Sequence, residues 1–276
     1  MTTFRNATLP ELKLILDWAA AEGWNPGLDD AEAFYQADPD GFFVAENAKD
    51  EIVAAISVVN HSDDFAFLGL YIVRPDERGK GIGLGLWQYA LPLAPVLPSR
   101  RAGAAPHIPN YTASVFPPAV GTTRFSGNVQ GAVDPGIRLA NSKDIPWMIE
   151  QETTASGVAK PDYLYAWFTP TETRSSLILE KADRPSAFCT VRQCRSGAKI
   201  GPLIAENSAD ANRLIAHAAT MVECPVTLDV PETSTGLIDL CSQRHMNAGF
   251  KTARMYCGSF SVSRHTHFAV SSLELG

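Results

Sequence analysis

A glycine-rich loop is the part of the sequence best suited to chemistry. It follows the apolar run Leu70–Val73 and leads into a stretch of helical character, Leu84–Ala90. Glycines let backbone N–H groups surround an anion, and a helix N-terminus adds partial positive charge at the same place. The loop predicts a phosphate or pyrophosphate site, although a glycine turn that only lets strand and helix pack also accounts for it. The predicted site consists of Arg78, Gly79, Lys80, Gly81, Ile82 and Gly83.

The same loop resembles one known phosphate loop and differs from two others. A Walker loop ends in Gly-Lys-Ser/Thr, and a Rossmann loop follows the first strand of its unit, so neither matches. The segment LYIVRPDERGKGIG resembles the acetyl-CoA pyrophosphate loop of the GNAT superfamily of N-acetyltransferases. The resemblance implies that Arg78–Gly83 bind coenzyme A and that the strand edge formed by Tyr71, Ile72 and Val73 binds its pantetheine arm.

The resemblance is closest to a subgroup with two GNAT folds in tandem, of which the second is degenerate. In the first half it rests on DWAAAEGWNPG, the glycine loop and TTRFSG. In the second half it rests on RSGAKIGPLIAEN, VTLDVP, RMYCG and SSLELG. It covers nearly the whole chain, apart from a gap at about residues 91–110.

Acyl transfer from a thioester to an amine requires a base, oxyanion donors and an acid for the departing thiolate. Members of the superfamily commonly use a tyrosine as this acid, in a Y-x-x-x-G-F pattern. The resemblance assigns the role to Tyr111, where Val115 replaces the usual glycine. A phenol with a pKa near 10 is protonated at neutral pH and can donate to a thiolate. A tyrosine that only packs in an amphipathic helix is the alternative.

The loop Glu22–Gly27 is predicted to line the binding site of the acceptor. It lies between the first two helices, and this loop lines the acceptor site in related enzymes. Its side chains could bind a small polar or cationic acceptor, with Glu22 as the catalytic base and Trp24 and Asn25 as substrate-binding residues. A carboxylate at a helix end with a buried indole as anchor is the alternative. His61 also follows a strand near the expected thioester, but an ordinary loop histidine is the favoured interpretation.

A unit that occurs twice positions these residues. Phe4–Ala7 opens a helical stretch that closes at Gly23, and Ile137–Ala140 opens one of nearly equal length that closes at Gly157. The halves also end alike, in TTRFSG and TARMYCG. The repeat predicts two copies of one α/β unit. The resemblance implies that these are two tandem GNAT folds with a mixed sheet, at residues 1–130 and 134–276.

Apolar runs bounded by turn residues predict the strands of both halves. They lie at residues 41–46, 51–59, 65–73, 176–179, 186–191, 199–205, 226–230 and 250–257, with helices at 209–222 and 235–246 in the second half. In the second half, Glu206–Asp210 replaces the glycine loop that the repeat would predict. His245 is the residue of the second half that corresponds to Tyr111. We expect the second half to be a structural or acceptor-pocket partner without a working CoA site.

Prolines interrupt the resemblance. Seven of the 19 prolines lie between residues 91 and 120, so Leu91–Arg101 is poorly suited to the expected helix end and fifth strand. Related proteins tend to have Leu-Asp-Gly at the end of this strand. If the codons of Ser99–Arg101 are TCT-CGA-CGG, the neighbouring reading frame is CTC-GAC-GG, which encodes Leu-Asp-Gly. A compensated frameshift over residues 92–119 is one hypothesis, and a genuine insertion that reshapes the acceptor pocket is the other.

Composition argues against several other classes of protein. The net charge is -7 and no dense basic run is present, so we expect no nucleic-acid partner. The sequence shows neither a secretory leader nor an 18-residue apolar run, so we expect a cytoplasmic protein without membrane contact. The five cysteines lack CxxC spacing, so we expect reduced thiols and no metal, and we discount the pair His265 and His267.

These observations predict that the protein transfers an acetyl group from acetyl-CoA to the primary amine of a small molecule. The amine would attack the thioester directly in a ternary complex, without a metal. A homodimer is compatible with the sequence. A CoA-binding protein that does not catalyse, and a structural dimerisation module with the same fold, are the alternatives.

Overall fold

The computed structural model describes residues 2–93, 100–105, 118–223, 225–258 and 264–276, which form one mixed β-sheet flanked by helices. Its strands are β1 Thr3–Asn6, β2 Phe42–Glu46, β3 Ile52–Ser62, β4 Phe65–Val73, β5 Arg100–Ala105, β6 Pro118–Gly127, β7 Ile137–Leu139, β8 Arg174–Lys181, β9 Arg184–Gln193, β10 Ala198–Ile204, β11 Val226–Pro231, β12 Asn247–Gly258 and β13 His267–Ala269. Its α-helices are α1 Leu9–Ala21, α2 Asp30–Ala37, α3 Ile82–Ala90, α4 Ile145–Ser156, α5 Pro161–Phe168, α6 Ser208–Ala218 and α7 Thr235–Gln243.

The two halves of the sheet exchange their last strands. The strand order is β1-β2-β3-β4-β5-β12-β6-β11-β10-β9-β8-β7, and β13 pairs with β10. Strand β12 therefore lies between β5 and β6, and β6 lies between β12 and β11. The mixed α/β sheet is confirmed. The division of the chain at residues 130–134 remains a prediction, and strands from the two sides of that division pair with each other.

Helices from both halves share one apolar core on the α1 face of the sheet. Phe34 in α2 stacks on Trp167 in α5 with the ring centroids 6.0 Å apart, and Tyr163 packs against both rings. Leu70 and Ile72 of β4 belong to the same core. Because aromatic side chains from residues 34 and 163–167 interlock, the two halves pack as one body at this point.

The described structure differs from the expected elements at three places. The segments at Phe4 and Ile137 are short edge strands, β1 and β7, and the predicted helical stretches begin only after them, at Leu9 and Ile145. Helix α5 had no counterpart in the prediction. Strand β5, Arg100–Ala105, lies within the proline-rich stretch, between Pro98 and Pro106, and pairs in parallel with β4. Short, partly exposed edge strands carry no apolar run, which is why periodicity missed β1 and β7.

Two segments that bear on the predictions, 94–99 and 106–117, lie outside the described residues. Tyr111 is among them, together with most of the stretch to which the frameshift hypothesis applies. None of the described helices is long and apolar enough to cross a bilayer.

Candidate active site

The glycine loop joins the end of β4 to the start of α3. A short 3-10 turn, Pro75–Glu77, leads from the strand into the loop. Gly79 and Gly81 have φ angles of 77° and 79°, and a β-carbon at either position would meet open space. The glycines are therefore required by the left-handed backbone and not by close packing. Gly81 is the N-cap of α3 and no described side chain caps the helix, so its first N–H groups are available to an anion.

Arg78 links this loop to the end of α1. Its Nε donates to the carbonyl oxygen of Val73 at 2.9 Å, and its Nη2 forms an ion pair with Oε1 of Glu22. Both side chains are substantially exposed, so water screens the pair and its energy is small. A phosphate oxygen arriving at the loop can therefore displace Glu22 from the guanidinium.

The last part of strand β4, next to the glycine loop, has no described strand beside it on the β5 side. The pairing of β4 with β5 covers Ala66–Leu68, and no described strand pairs with Tyr71–Val73 on that side. On the other side, β4 pairs with β3 through a register shift opposite Gly69, and Leu70 has a φ of 45°. The two strands β4 and β5 thus separate at Gly69, which leaves backbone groups of the last part of β4 for a ligand.

Tyr71 fixes the position of this open edge against α3. Its ring packs edge-on against Trp87 with the centroids 5.7 Å apart, and burial raises the pKa of its hydroxyl. The β-carbon that an alanine would place at position 83 would lie 2.5 Å from the Tyr71 hydroxyl oxygen. Gly83 therefore allows α3 to approach the strand closely.

The loop Glu22–Gly27 is held by strand β6 and by the second half. The Asn25 amide donates to the carbonyl oxygen of Ser196 at 2.8 Å, and its Oδ1 accepts from the Ser196 N–H at 3.3 Å. The carbonyl oxygen of Trp24 accepts from Arg124 at 2.7 Å and from Lys199 at 2.8 Å. These contacts hold the loop in place, and substrate binding by Trp24 and Asn25 stays a prediction.

Glu22 lies next to Arg78, and its side chain is exposed rather than buried between the two halves of the chain. Its role as base stays a prediction, as does that of Tyr111. His61 is buried, and its Nε2 lies 2.9 Å from the carbonyl oxygen of Leu275. Burial, followed by the charge of Lys160, lowers the pKa of His61 to about 3. It is therefore neutral at physiological pH.

A segment to which the sequence assigned no role, Ser271–Gly276, lies directly at the point where β4 and β5 separate. Its Ser271 carbonyl oxygen accepts from Arg192 at 3.1 Å. The carbonyl oxygen of Glu274 passes so close to Gly69 that a β-carbon there would lie 2.1 Å from it. The contact could not be read from local pattern, because it joins residues that are distant in the chain.

Buried ion pairs surround this segment at the interface of the halves. Asp30 pairs with Arg192, and both side chains are almost fully buried. Arg124 donates to the two carboxylate oxygens of Asp229 at 2.7 and 2.8 Å. Burial raises the pKa of Asp30, which the charge of Arg192 opposes. Such pairs fix the relative position of two elements because breaking one leaves an uncompensated buried charge.

The helix of the second half that corresponds to α3 is α6, and it begins with a side-chain cap, which α3 lacks. Helix α6 follows β10, and the side chain of its N-cap, Asn207, accepts from the N–H of Asp210 at 3.0 Å. A side chain thus occupies the position where an anion binds at an uncapped helix. This supports the expectation that the second half lacks a CoA site, which remains a prediction.

Comparison with known sequences identifies the class of protein that this fold and loop define. The profile of the "Acetyltransferase (GNAT) family" matches residues 9–101, and that of the "Acetyltransferase (GNAT) domain" matches residues 148–269. The chain belongs to the GNAT acetyltransferases and contains two GNAT domains in tandem. A curated relative, the holothin acyltransferase of Pseudoalteromonas sp. (strain SANK 73390), is 32% identical over 279 residues, covering 99% of this chain and 94% of the relative. The protein is an acyltransferase.

Solved structures show the same fold over the whole chain. The crystal structure of a protein from Pyrococcus horikoshii has a TM-score of 0.83 at 19% identity, with 100% of this chain and 96% of that chain covered. A tandem GNAT protein from the clavulanic acid biosynthesis pathway has a TM-score of 0.62 at 14% identity, with 95% and 100% covered. At these identities the likeness concerns the fold alone.

Proposed function

We propose that this acyltransferase moves an acetyl group from acetyl-CoA to the primary amine of a small molecule, by direct attack in a ternary complex. The observation that carries the proposal is the uncapped start of α3 behind two left-handed glycines, beside the open edge of β4. These two features suit the two parts of one ligand, a pyrophosphate and an extended amide-containing arm.

The residues of the first half divide the binding task. Backbone N–H groups of Gly79–Gly83 and the guanidinium of Arg78 bind the pyrophosphate. The edge of Tyr71–Val73 binds the pantetheine arm by main-chain hydrogen bonds. This arrangement holds the thioester in a fixed place, so the amine meets it as if at high local concentration.

The chemical step needs proton transfers on both sides of the thioester. A base accepts the proton of the acceptor's ammonium group, and an acid donates to the thiolate that leaves. Tyr111 is the proposed acid, on the resemblance of its segment to the family pattern. Residues 1–130 would carry the reaction, and residues 134–276 would complete the acceptor side without a CoA site of their own.

The curated relative is named a holothin acyltransferase. Holothin itself is therefore the first acceptor to test. We propose that the protein works in the cytoplasm, as a monomer or a homodimer, without nucleic acid or membrane.

Two measurements test the proposal. Acetyl-CoA should raise the melting temperature, since a ligand that binds only the folded state stabilises it. Free thiol should then be released with holothin or with one member of a panel of primary amines. A thermal shift without thiol release from any amine would support a CoA-binding protein that does not catalyse. If acetyl-CoA neither raised the melting temperature nor released thiol with any amine, the result would support a structural module with the same fold.

A further inference from the structure

Glu274 is a buried carboxylate that pairs with no cation in the described part of the chain. The residue is 2% exposed, and neither carboxylate oxygen has a hydrogen-bond partner among the residues that the structure describes. A buried charge is unfavourable unless it is paired and hydrogen-bonded. The side chain therefore needs a partner that these residues do not supply.

Neighbouring buried carboxylates have such partners. Asp30 pairs with Arg192. Asp229 accepts two hydrogen bonds from Arg124. Lys199, the third cation nearby, lies 4.0 Å from Asp229 and donates to the carbonyl oxygen of Trp24. None of these described cations donates to Glu274, so the missing group is an additional donor of positive charge.

Lys199 shows that Glu274 lies close to the acceptor loop. Burial lowers the pKa of the Lys199 ammonium, and Glu274 comes first among the charges that oppose this. The same ammonium donates to the carbonyl oxygen of Trp24 at 2.8 Å, so it connects the carboxylate with the loop Glu22–Gly27. The charged groups that interact with Glu274 are Asp30, Arg124, Arg192 and Lys199. Asp229 joins them through its pair with Arg124.

The backbone of Glu274 marks the reacting end of the site. Its carbonyl oxygen lies over Gly69, where β4 parts from β5. An arm that starts at the glycine loop and follows β4 backwards from Val73 reaches Gly69 after four residues, or about 13 Å. Glu22 lies at the opposite, phosphate-binding end through its pair with Arg78. Of the two residues, Glu274 is the one whose backbone lies at the end of the site where the proposed arm would place the thioester.

We propose that the Glu274 carboxylate binds the ammonium group of the acceptor and removes its proton. This inference rests on the proposed function. One proton passes from the ammonium nitrogen to Glu274, and the freed lone pair forms the N–C bond with the thioester carbon. Collapse of the tetrahedral intermediate breaks the C–S bond, and the second nitrogen proton leaves as the thiolate becomes a thiol. Glu274 then releases its proton to solvent, so the enzyme returns to its starting state.

Glu274→Gln tests this role, with Glu274→Asp as the conservative variant and Glu180→Gln as a partly exposed control. Turnover is measured by thiol release with the amine that wild type acetylates fastest, and amine binding by calorimetry on CoA-saturated protein. Benzylamine is the calorimetric probe if no panel amine is acetylated. We expect E274Q to reduce kcat/KM about 100-fold. Amine affinity should fall about tenfold, because the amide cannot pair with a cation.

Two further readouts separate this role from a structural one. E274Q should leave the acetyl-CoA dissociation constant within about twofold of wild type, since the carboxylate is distant from the phosphate loop. Its melting temperature should stay equal or rise, because the variant removes an unpaired buried charge. E274D should keep part of the activity, and E180Q all of it.

The outcomes distinguish the inference from the function on which it rests. An E274Q variant that acetylates and binds the amine within about threefold of wild type overturns the role of Glu274 while the proposed function stands. A lower melting temperature with proportionate loss of acetyl-CoA binding also overturns it, in favour of a structural role. A wild type that binds CoA but neither acetylates nor binds any amine overturns both.

Discussion

Arg78 of the glycine loop and Glu22 at the end of α1 form an exposed ion pair across the entrance to the proposed phosphate site. The guanidinium is held at the same time by the carbonyl oxygen of Val73. The pair occupies the position from which Arg78 would reach a phosphate. Glu22 is therefore a competitor of the ligand in the free protein.

Glu22→Gln should tighten acetyl-CoA binding. The variant frees Arg78 and removes a negative charge near the phosphates, so the dissociation constant should fall about two- to fivefold at low salt, less at high salt. Calorimetric titration at two salt concentrations measures this. Weaker binding would contradict the competition, and a large loss of kcat with unchanged binding would support Glu22 as the base.

Gly81→Ala should weaken acetyl-CoA binding far more than it destabilises the fold. A left-handed alanine costs about 1 kcal/mol, and its methyl group enters the space in front of the α3 N-terminus, so affinity should fall about tenfold or more. The control is Gly157→Ala, because Gly157 has a similar φ of 75° at the end of α4. Equal losses of affinity in both variants would show that the loop has no special role.

Asp30→Asn should destabilise the protein strongly. The substitution removes the carboxylate that pairs directly with the buried Arg192, which costs about 3–5 kcal/mol in the free energy of unfolding. The matched control is Asp17→Asn, because Asp17 also pairs with an arginine of the second half, Arg195, but both side chains are more than half exposed. That change should cost at most about 1 kcal/mol. Similar losses in urea titrations of the two variants would contradict a buried ionic interface between the halves.

Acid should destabilise the fold through two buried histidines. Burial, followed by the charge of Lys160, lowers the pKa of both His61 and His267 to about 3. Below their unfolded pKa of about 6.5 only the unfolded state takes up these protons, so stability is complete above that pH and is lost as the pH falls toward about 3. The loss is about 1.4 kcal/mol per pH unit for each histidine.

His267→Gln checks this assignment. It should reduce the slope of unfolding free energy against pH by about 1.4 kcal/mol per unit between about pH 6 and pH 4, measured by urea titration. An unchanged slope would mean that His267 is protonated equally in the folded and unfolded states.

The glycine loop could be predicted from the sequence because its signal is local. An apolar strand, a turn, two glycines with positive φ and a helix follow one another between Leu70 and Ala90, and each element has its own pattern. The central strands were likewise visible as apolar runs. The edge strands at Phe4 and Ile137 were not, since a strand of three or four partly exposed residues has no such run.

The strand exchange and the surroundings of Glu274 depend on contacts between distant residues. TTRFSG and TARMYCG are similar, so no local pattern shows in which half each strand pairs. The contact of His61 with Leu275 spans 214 residues. Periodicity cannot reveal that SSLELG crosses the opening of β4, and a glutamate in a polar segment gives no sign that it is buried.

Thiol release from acetyl-CoA in the presence of holothin and a panel of primary amines is the decisive measurement for acetyl transfer at the glycine loop. We expect amine-dependent thiol release by wild type and its loss in Gly81→Asp, which places a charged side chain in front of the α3 N-terminus. Gly157→Ala should retain it. Amine-dependent release by wild type that persists unchanged in Gly81→Asp would contradict the placement of acetyl-CoA at this loop, and no release with any amine would contradict the acetyl transfer itself.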